Sequence, residues 1–449
     1  MSVQPARVST VDERWDRTRV LALAPDVPSQ RAAQALLSGR AWPLTGADGP
    51  GALWGECRGS AAAPYRAVVD PSGPAYKCSC PSRKFPCKHV LALLLLWAEG
   101  AVKEEAGEPP GWAASWLAAR AARAAREDGS RREREVPGGG PPGSVQRAGQ
   151  REARVASGMT ELDRWLRDQV HQGLAASPQA GYGHWDDIAA RMVDAQAPGP
   201  AERLRALAAV RHSGAGWESR LLEEYALLRL LAVAYARRAE LPPPLRETVR
   251  SRIGFSLRQA DVLAGGPPVR DRWQVLGRRD LEQDRIRVRR TWLRGRATGR
   301  PALVLSFAAA GQGLDGSLAV GTEADADLVF YPGAVPLRAL VQARHGTADG
   351  RPPAGGTVAR LLASYAAALS GDPWLDCWPA VLDVTPARSP VPAVSDAAGD
   401  ALPLHPGAGD GWRLLALSGG HPVTVAGEWT PRGLWPLTAW DEGGRAVPL

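Results

Sequence analysis

The chain contains the sequence Tyr76-Lys77-Cys78-Ser79-Cys80-Pro81-Ser82-Arg83-Lys84-Phe85-Pro86-Cys87-Lys88-His89, in which three cysteines and one histidine fall within twelve positions. This density of side chains that bind metals is typical of a zinc site. Zinc takes four nitrogen or sulfur ligands in a tetrahedron, and three thiolates with one imidazole leave no position for water. The stretch therefore predicts a closed metal site of the structural type.

The spacing of the cysteines also predicts the local path of the chain. Side chains alternate between the two faces of a strand, so Cys78 and Cys80 point to the same side, and Pro81 then ends the strand. Residues two apart diverge on a helix, so we expect Cys87 at or just before the start of the helix that His89 enters. The stretch is predicted to form a hairpin, a six-residue loop and a helix.

The pattern Cys-x-Cys-x6-Cys-x-His resembles the signature of the SWIM zinc finger. Trp54–Ser60 and Tyr65–Asp70 are similar to the strands that precede the ligands in that family, and a long apolar helix follows as it does there. The resemblance covers roughly residues 50–100 and implies Zn²⁺ as the cofactor. The ligands that it implies are Cys78, Cys80, Cys87 and His89.

The alternative interpretation of the cysteines is a buried thiol cluster or a disulfide in a loop. Cysteines separated by one residue pair poorly in disulfide geometry. Met1–Arg19 is polar and charged and does not resemble a signal peptide. The longest apolar run, Val90–Ala98, is about half of a bilayer span. We therefore expect a cytoplasmic, reducing location without membrane insertion.

The positive charge allows nucleic acid as a partner. The formal net charge is +8, but the abundance of Arg, Ala, Gly and Pro is also explained by a GC-rich coding bias. The positions of the lysines are more informative than the net charge, since most lysines lie in or next to the cysteine stretch. The lysines are Lys77, Lys84, Lys88 and Lys103.

Two explanations for these lysines stay open. They either offset the negative charge of three thiolates on one divalent ion, or they contact phosphate. Arg58 and Arg66, on the preceding predicted strands, add to the cations near the site. The residues predicted to bind nucleic acid are Lys77, Arg83, Lys84 and Lys88.

Residues 1–126 are predicted to form the zinc module with flanking helices. The helix that starts at Lys88 is apolar on nearly every side and has to be covered all round. The candidates for its cover are the first 50 residues, with a helix at Ser29–Ser38, a helix at Gly111–Arg126, or another domain. Cys57 lies outside the signature and is predicted to be a packed thiol.

The rest of the chain is predicted to contain a linker and two domains. Residues 127–157 lack apolar periodicity and are predicted to be a flexible linker. Residues 158–265 are predicted to be a helical bundle, whose longest amphipathic helix is Glu218–Glu240. Residues 266–449 are predicted to be a mostly antiparallel, β-rich domain interrupted by the helix Val358–Leu369.

The strands of this last domain are predicted from short apolar runs between turn residues. Its tryptophans are expected in the core rather than on a base-stacking platform; they are Trp273, Trp292, Trp412, Trp429 and Trp435. The predicted strands are Trp273–Gly277, Ile286–Trp292, Ala302–Phe307, Leu328–Tyr331, Trp412–Leu417, Val423–Trp429 and Leu434–Leu437.

The sequence offers no catalytic motif. It has no phosphate-binding loop of the Walker type, no Gly-x-Ser-x-Gly elbow and no His-Glu-x-x-His helix. Gly311–Gly316 is followed by the strand-like segment Ser317–Thr322, whereas a dinucleotide-binding fingerprint requires a helix there. We therefore expect an α+β multidomain protein that is not an enzyme.

The expected function is that of a zinc-binding accessory protein whose finger binds nucleic acid, protein or both. The SWIM resemblance implies both ligand classes. It also implies partners, because standalone bacterial members of the family look like accessory proteins with an AAA-type ATPase and a von Willebrand factor A-like protein as neighbours. Two alternatives stay open: a purely protein–protein adaptor of an ATPase-containing complex, and a subunit with an unrecognised enzymatic site in the C-terminal region.

Overall fold

A computed structural model describes residues 15, 17–24, 27–48, 52–59, 63–71, 75–82, 86–102, 108–120, 144–173, 183–210, 213–283, 286–309, 314–388, 391–409 and 411–449. The chain divides into two compact units. The first consists of Met1–Val136, Arg278–Thr291 and Leu305–Thr322, and the second of Pro137–Gly277, Trp292–Val304 and Glu323–Leu449. Most residues of the predicted helical region and of the predicted β-rich region therefore belong to the second unit.

The first unit is built on a four-stranded antiparallel sheet in the order β1-β2-β3-β4. The strands are β1 (Leu44–Asp48), β2 (Ala52–Cys57), β3 (Tyr65–Asp70) and β4 (Ala75–Cys78). In the register of the sheet, Gly55 pairs with Ala67, and Ala67 pairs with Cys78. A Cβ atom at Gly55 would lie 2.9 Å from the ring of Trp42, so only glycine lets this tryptophan pack flat against β2.

Helix α3 (Lys88–Ala98) lies between this sheet and two shorter helices, α1 (Arg17–Ala22) and α2 (Val27–Gln34). Every residue from His89 to Trp97 is buried. The core around α3 contains Val20 and Leu23 of the α1 segment, and Leu53 and Val69 of the sheet. The expectation that the first 50 residues help to cover this helix is confirmed, although the helix predicted at Ser29–Ser38 is Val27–Gln34.

The opposite face of the sheet is covered by helix α4, residues 111–120. Trp54 and Val68 alternate with the residues that face α3 and pack against Ala113 instead. At the end of the helix, Arg120 Nε donates to Asp70 Oδ2 of β3 over 2.6 Å. The predicted helix Gly111–Arg126 is thus confirmed over residues 111–120, and its remainder lies outside the described residues.

The second unit begins with six helices. They are α5 (Ser144–Gln172), α6 (Gly183–Asp194), α7 (Pro198–Val210), α8 (Trp217–Ala236), α9 (Pro243–Ile253) and α10 (Gln259–Gly265). A single core of buried side chains runs through α5 to α9. No helix in the described part of the chain combines the length and apolar character that a bilayer crossing requires.

The predicted linker is wrong over residues 144–157, because these residues form the first half of α5. The remaining part of the predicted linker, residues 127–143, lies outside the described residues. The first two turns of α5 are polar but rich in good helix formers. They are held by Glu152, which accepts a hydrogen bond of 2.5 Å from Tyr235 Oη of α8 and one from Arg250 of α9. This polar attachment leaves no apolar periodicity that would reveal the helix in the sequence.

The C-terminal half forms a closed barrel and a second sheet. The barrel has the order β5-β6-β7-β9-β8, with strands β5 (Val269–Gln283), β6 (Ile286–Gly295), β7 (Pro301–Ala309), β8 (Thr322–Phe330) and β9 (Arg338–Asp349). The six-stranded sheet has the order β12-β11-β10-β13-β14-β15, with β10 (Trp378–Arg388), β11 (Pro392–Ser395), β12 (Ala401–Pro403), β13 (Val423–Thr430), β14 (Gly433–Trp440) and β15 (Ala446–Pro448). Helix α11 (Val358–Gly371) joins them, as predicted.

Barrel residues of the second unit pack directly on the six-stranded sheet. Trp292 Nε1 donates to Glu428 Oε1 over 2.8 Å in the interior. A Cβ atom at Gly277 would lie 2.7 Å from Cβ of Leu437, so the glycine allows β5 and β14 to approach closely. Trp273 and Trp292 are buried, as expected for core tryptophans.

Two predicted strands are wrong. Residues 412–417 form helix α12 (Trp412–Ser418) between two left-handed glycines, Gly411 and Gly419, and the Trp412 side chain is 56% exposed. A short apolar run does not distinguish strand from helix, and the flanking glycines decide for a helix here. Ser317–Thr322 is not a strand, since β8 begins at Thr322. The α+β multidomain class is confirmed.

Replacing Glu152 with alanine should lower the free energy of unfolding by about 1–3 kcal/mol near pH 7, because two donors lose a charged acceptor. Burial raises the pKa of Glu152, but the hydrogen bonds from Tyr235 and Arg250 outweigh it and lower the pKa overall. A lowered pKa means that the contribution is present above the unfolded value of about 4.3 and is lost as the pH falls below it.

Urea unfolding of parent and Glu152→Ala at pH 7 and at acidic pH measures this effect. Glu161→Ala is the control on the same helix, because Glu161 forms only an exposed ion pair with Arg191 and should cost less than about 1 kcal/mol. Equal losses for the two variants at pH 7 would contradict the role given to Glu152.

Candidate metal centre

The first half of the centre is the end of β4, where Cys78 is the last strand residue. The pairing with β3 continues one residue further, because Ser79 N donates to Arg66 O over 3.0 Å and Arg66 N donates to Ser79 Oγ over 2.9 Å. These bonds keep the chain extended up to Cys80. The two cysteines therefore reach the same side of the chain, as their spacing predicted.

The second half is the start of α3. Cys87 is the N-cap residue, with an extended backbone at φ −75° and ψ 165°. Its carbonyl accepts the first helical hydrogen bond, from Leu91 N over 3.0 Å. His89 follows within the first turn of the helix. The prediction that Cys87 precedes the helix that His89 enters is confirmed.

The ligand atoms of Cys78, Cys80, Cys87 and His89 all lie within 4.8 Å of one another. The distance from Cys78 Sγ to His89 Nδ1 is 3.8 Å. A tetrahedron with Zn–S bonds of about 2.3 Å separates its sulfur atoms by about 3.8 Å. The four side chains therefore fit one zinc ion, and no other group of at least three such residues in the described part of the chain is arranged in this way.

Burial divides the four ligands into two pairs. Cys87 and His89 have exposed fractions of only 1% and 3%, whereas Cys78 and Cys80 are half-buried. The ring of Tyr65 lies over the imidazole of His89, with centroids 4.8 Å apart and planes 31° apart. This stacking fixes the orientation of the imidazole and shields it from solvent.

The thiols are electrostatically coupled. A hydrogen bond from the Cys78 thiol lowers the pKa of Cys87 to about 4, although burial acts in the opposite direction. The same hydrogen bond and burial raise the pKa of Cys78. Burial is also the main reason why the pKa of Cys80 is raised. These shifts favour a thiolate at Cys87 and protonated thiols at Cys78 and Cys80. Zinc, when bound, would displace those protons and connect β4 to α3.

Cys57 is separate from this cluster. It is fully buried at the end of β2. Burial raises the pKa of its thiol to about 11, which favours the protonated form. The prediction of a packed thiol outside the signature is confirmed.

The structure separates the cations that the sequence grouped around the cysteines. Lys88 is exposed at the start of α3, and Arg58 is exposed directly after β2. Lys77 is exposed on β4 between Tyr76 and Cys78, so strand alternation directs it to the other face of the sheet. Arg83 and Lys84 lie outside the described residues.

Arg66 is engaged elsewhere, because its Nε donates to Glu56 over 3.1 Å and its guanidinium lies 5.8 Å from the ring centroid of Trp112. This leaves Arg58 and Lys88 as the described cations beside the metal centre. They border a groove with a cavity volume of about 520 Å³. No local sequence signal indicates this groove, because its far wall belongs to α2, which is distant in sequence.

Residues 67–98 match the family model of the SWIM zinc finger, and residues 150–253 match that of the SWIM-associated four-helix bundle domain. The chain therefore carries a SWIM zinc finger with four ligands positioned to bind zinc, followed by the helical domain associated with such fingers. The second match covers most of α5 and ends with α9 at Ile253. No curated protein and no solved structure matches the chain.

Cys87→Ser should abolish zinc binding, because it removes the thiolate that is most stabilised in the centre. The parent is expected to carry about one equivalent of zinc, as structural sites of this type bind tightly. Metal content measured by plasma mass spectrometry on purified protein checks this expectation. Cys57→Ala is the matched control and should keep its zinc. Full zinc occupancy in Cys87→Ser would contradict the assignment.

Proposed function

We propose that the protein is a non-enzymatic accessory protein whose zinc module binds nucleic acid through the groove beside the metal centre. The observation that supports it most is the position of two cations, Arg58 and Lys88, which have no ion-pair partner among the described residues, beside the metal centre. A reducing cytoplasmic location is part of this proposal, because thiolate ligands have to stay reduced.

The groove lies between the zinc ligands and helix α2. One wall includes Cys80 and His89, and the other includes Pro28, Ala32 and Leu36. Among the described residues, no carboxylate lines it, and neither Arg58 nor Lys88 forms an ion pair. Apart from the thiolate ligands, the described part of the groove therefore carries no negative charge, as expected for a surface that meets phosphates.

The other lining residues suit nucleic acid as well. Ser29 and Ser82 also line the groove, and serine is among the residues that contact phosphate oxygens. Tyr65 lines the groove too, but its ring already packs on His89 and Gly59. Cations without a group that reads bases favour binding to the backbone without strong sequence preference.

The rigidity of this surface lowers the entropy that binding costs. Lys88 is the first residue of α3 and lies between the ligands Cys87 and His89. Arg58 N donates to Ala41 O over 2.7 Å, which fixes the backbone at the end of β2. Since both backbones are fixed before binding, only the two side chains need to be ordered.

The second candidate function is that of a protein adaptor within an ATPase-containing complex. It is supported by exposed apolar side chains along one groove between α5 and α8. Val170, Leu222 and Leu230 have exposed fractions of 50%, 47% and 43%, and such groups favour a protein partner. An AAA-type ATPase and a von Willebrand factor A-like protein remain the partners that the SWIM resemblance suggests.

Fluorescence anisotropy with labelled single-stranded DNA and RNA tests the first candidate. We expect sequence-independent binding with a Kd on the order of 10⁻⁴ to 10⁻⁶ M at physiological salt, weakening steeply as salt rises. The double variant Arg58→Gln, Lys88→Gln should flatten the plot of log K against log salt by about 0.7 per lost phosphate contact, with zinc content unchanged.

Arg66→Gln is the matched control for this experiment, because Arg66 lies in the same module but is paired with Glu56. Its salt dependence should equal that of the parent. If the parent binds neither DNA nor RNA at low salt, or if the double variant keeps the parent slope, the adaptor function takes first place.

A further inference from the structure

The second unit contains a cavity of about 420 Å³ between the barrel and helix α11. Among the described residues, its lining includes three arginines, Arg294, Arg296 and Arg360, and no acidic residue, although Asp383 packs behind Gly355. Its volume lies within the range of small-molecule sites, about 300–1,000 Å³. The cavity is unrelated to the zinc module, which belongs to the first unit.

Only one of these arginines is neutralised. Arg296 Nη1 donates to both carboxylate oxygens of Glu323, over 2.7 and 2.9 Å. Arg294 Nη2 instead donates to a neutral acceptor, Ala354 O, over 3.1 Å. Neither Arg294 nor Arg360 forms an ion pair in the part of the chain that the structure describes.

The charge of Arg360 acts on Arg294. Burial lowers the pKa of Arg294, and the nearby charge of Arg360 lowers it further. Two like charges that share a partly desolvated cavity are unfavourable unless a counter-charge joins them. An oxyanion between the two guanidinium groups would remove this repulsion and accept charge-assisted hydrogen bonds from both.

The walls that carry the arginines are held in place before any ligand binds. Asp271 is buried and accepts hydrogen bonds from Ala297 N, over 3.1 Å, and from Thr298 N, over 2.9 Å. These bonds fix the turn between β6 and β7 that follows Arg294. On the other side, Gly356 N donates to Val381 O over 2.9 Å and fixes the segment before α11.

The start of α11 is not itself the anion site. Its first amide, Val358 N, already donates to Asp396 Oδ2 over 2.8 Å. The Thr357 hydroxyl, as the N-cap, accepts from Arg360 N over 3.3 Å. The arginine side chains are the cationic groups of the cavity that can bind an anion.

Much of the remaining lining is apolar. Leu361 and Val381 contribute aliphatic surface, and Trp378 contributes an indole. Trp378 Nε1 donates to Ser364 Oγ over 3.0 Å, which fixes the orientation of the ring. A ligand that fits both parts of the cavity has an anionic head and an apolar or aromatic body.

We propose that this cavity binds a small organic phosphate, with the phosphate between Arg294 and Arg360 and the apolar body against Trp378 and Leu361. Phosphate suits the paired guanidinium groups better than a carboxylate does, because it offers three acceptor oxygens and up to two negative charges. This binding does not depend on nucleic-acid binding by the zinc module.

A ³¹P NMR titration of the full chain with phenyl phosphate and with inorganic phosphate tests the proposal. Phenyl phosphate should bind at least about tenfold more tightly than inorganic phosphate, since its ring adds apolar burial. It should also bind more tightly than benzoate, compared by saturation-transfer NMR. Benzoate binding as tightly as phenyl phosphate would overturn the assignment of phosphate.

Arg294→Gln and Arg360→Gln should each weaken phenyl phosphate binding by about tenfold, the loss of one charge-assisted contact. Arg360 is exposed, so its replacement leaves folding intact even if Arg294→Gln is destabilising. Arg432→Gln is the control, since this exposed arginine lies outside the cavity and should not change binding.

Two results would overturn the proposal. One is phenyl phosphate binding to Arg360→Gln with the affinity of the parent. The other is a short single-stranded oligonucleotide that displaces phenyl phosphate at a concentration below the Kd of phenyl phosphate. That result would assign the cavity to a polymer. If the double variant Arg58→Gln, Lys88→Gln binds phenyl phosphate with the affinity of the parent, the phenyl phosphate site is independent of the zinc module.

Discussion

The rest of the first unit depends on the complete burial of α3. This helix has apolar side chains on every side, and each buried leucine contributes about 1.5–3 kcal/mol relative to an exposed one. It is stable only if both the sheet and the N-terminal helices cover it. The zinc ligands lie at the junction of these elements, because Cys87 is the N-cap of α3 and His89 lies in its first turn, while Cys78 ends β4 and Cys80 follows it.

This arrangement connects folding to function in the proposed groove. The same ligands that hold α3 to the sheet hold the backbone of Lys88, and α2, which helps to cover α3, forms the other wall. The surface that we propose for nucleic acid is therefore formed by elements that also build the core, and it does not belong to a separate loop. Its affinity rests on few cations, so weak and salt-dependent binding is the physical expectation.

The sequence predicts the metal centre well because its determinants are local. Cys78 and Cys80 are two positions apart on one extended chain, and Cys87 and His89 are two apart at a helix start, so strand and helix geometry suffice to place them. The prediction from sequence is wrong for α12. Its apolar run suits a strand and a helix equally well, and the flanking glycines Gly411 and Gly419 favour the helix.

The features missed in the sequence are those created by distant segments. Helix α5 begins before the first residue of its apolar stripe. Its N-terminal part is held in place through Glu152, which accepts hydrogen bonds from Tyr235 and Arg250 of other helices. Arg294 and Arg360 lie on a strand and a helix far apart in the chain, and only the fold brings them to one cavity. Their lack of acidic partners is a property of three-dimensional neighbours, and no spacing in the sequence reveals it.

The positions of the four ligands predict that zinc holds α3 in its buried position. Hydrogen exchange measured by mass spectrometry, before and after removal of zinc with a chelator, tests this role of the metal. The amides of α3 and β2–β4 should lose protection on zinc removal, while those of α8, in the second unit, serve as the reference and keep theirs. Full protection of α3 in the zinc-free protein would show that zinc is not needed to hold the helix.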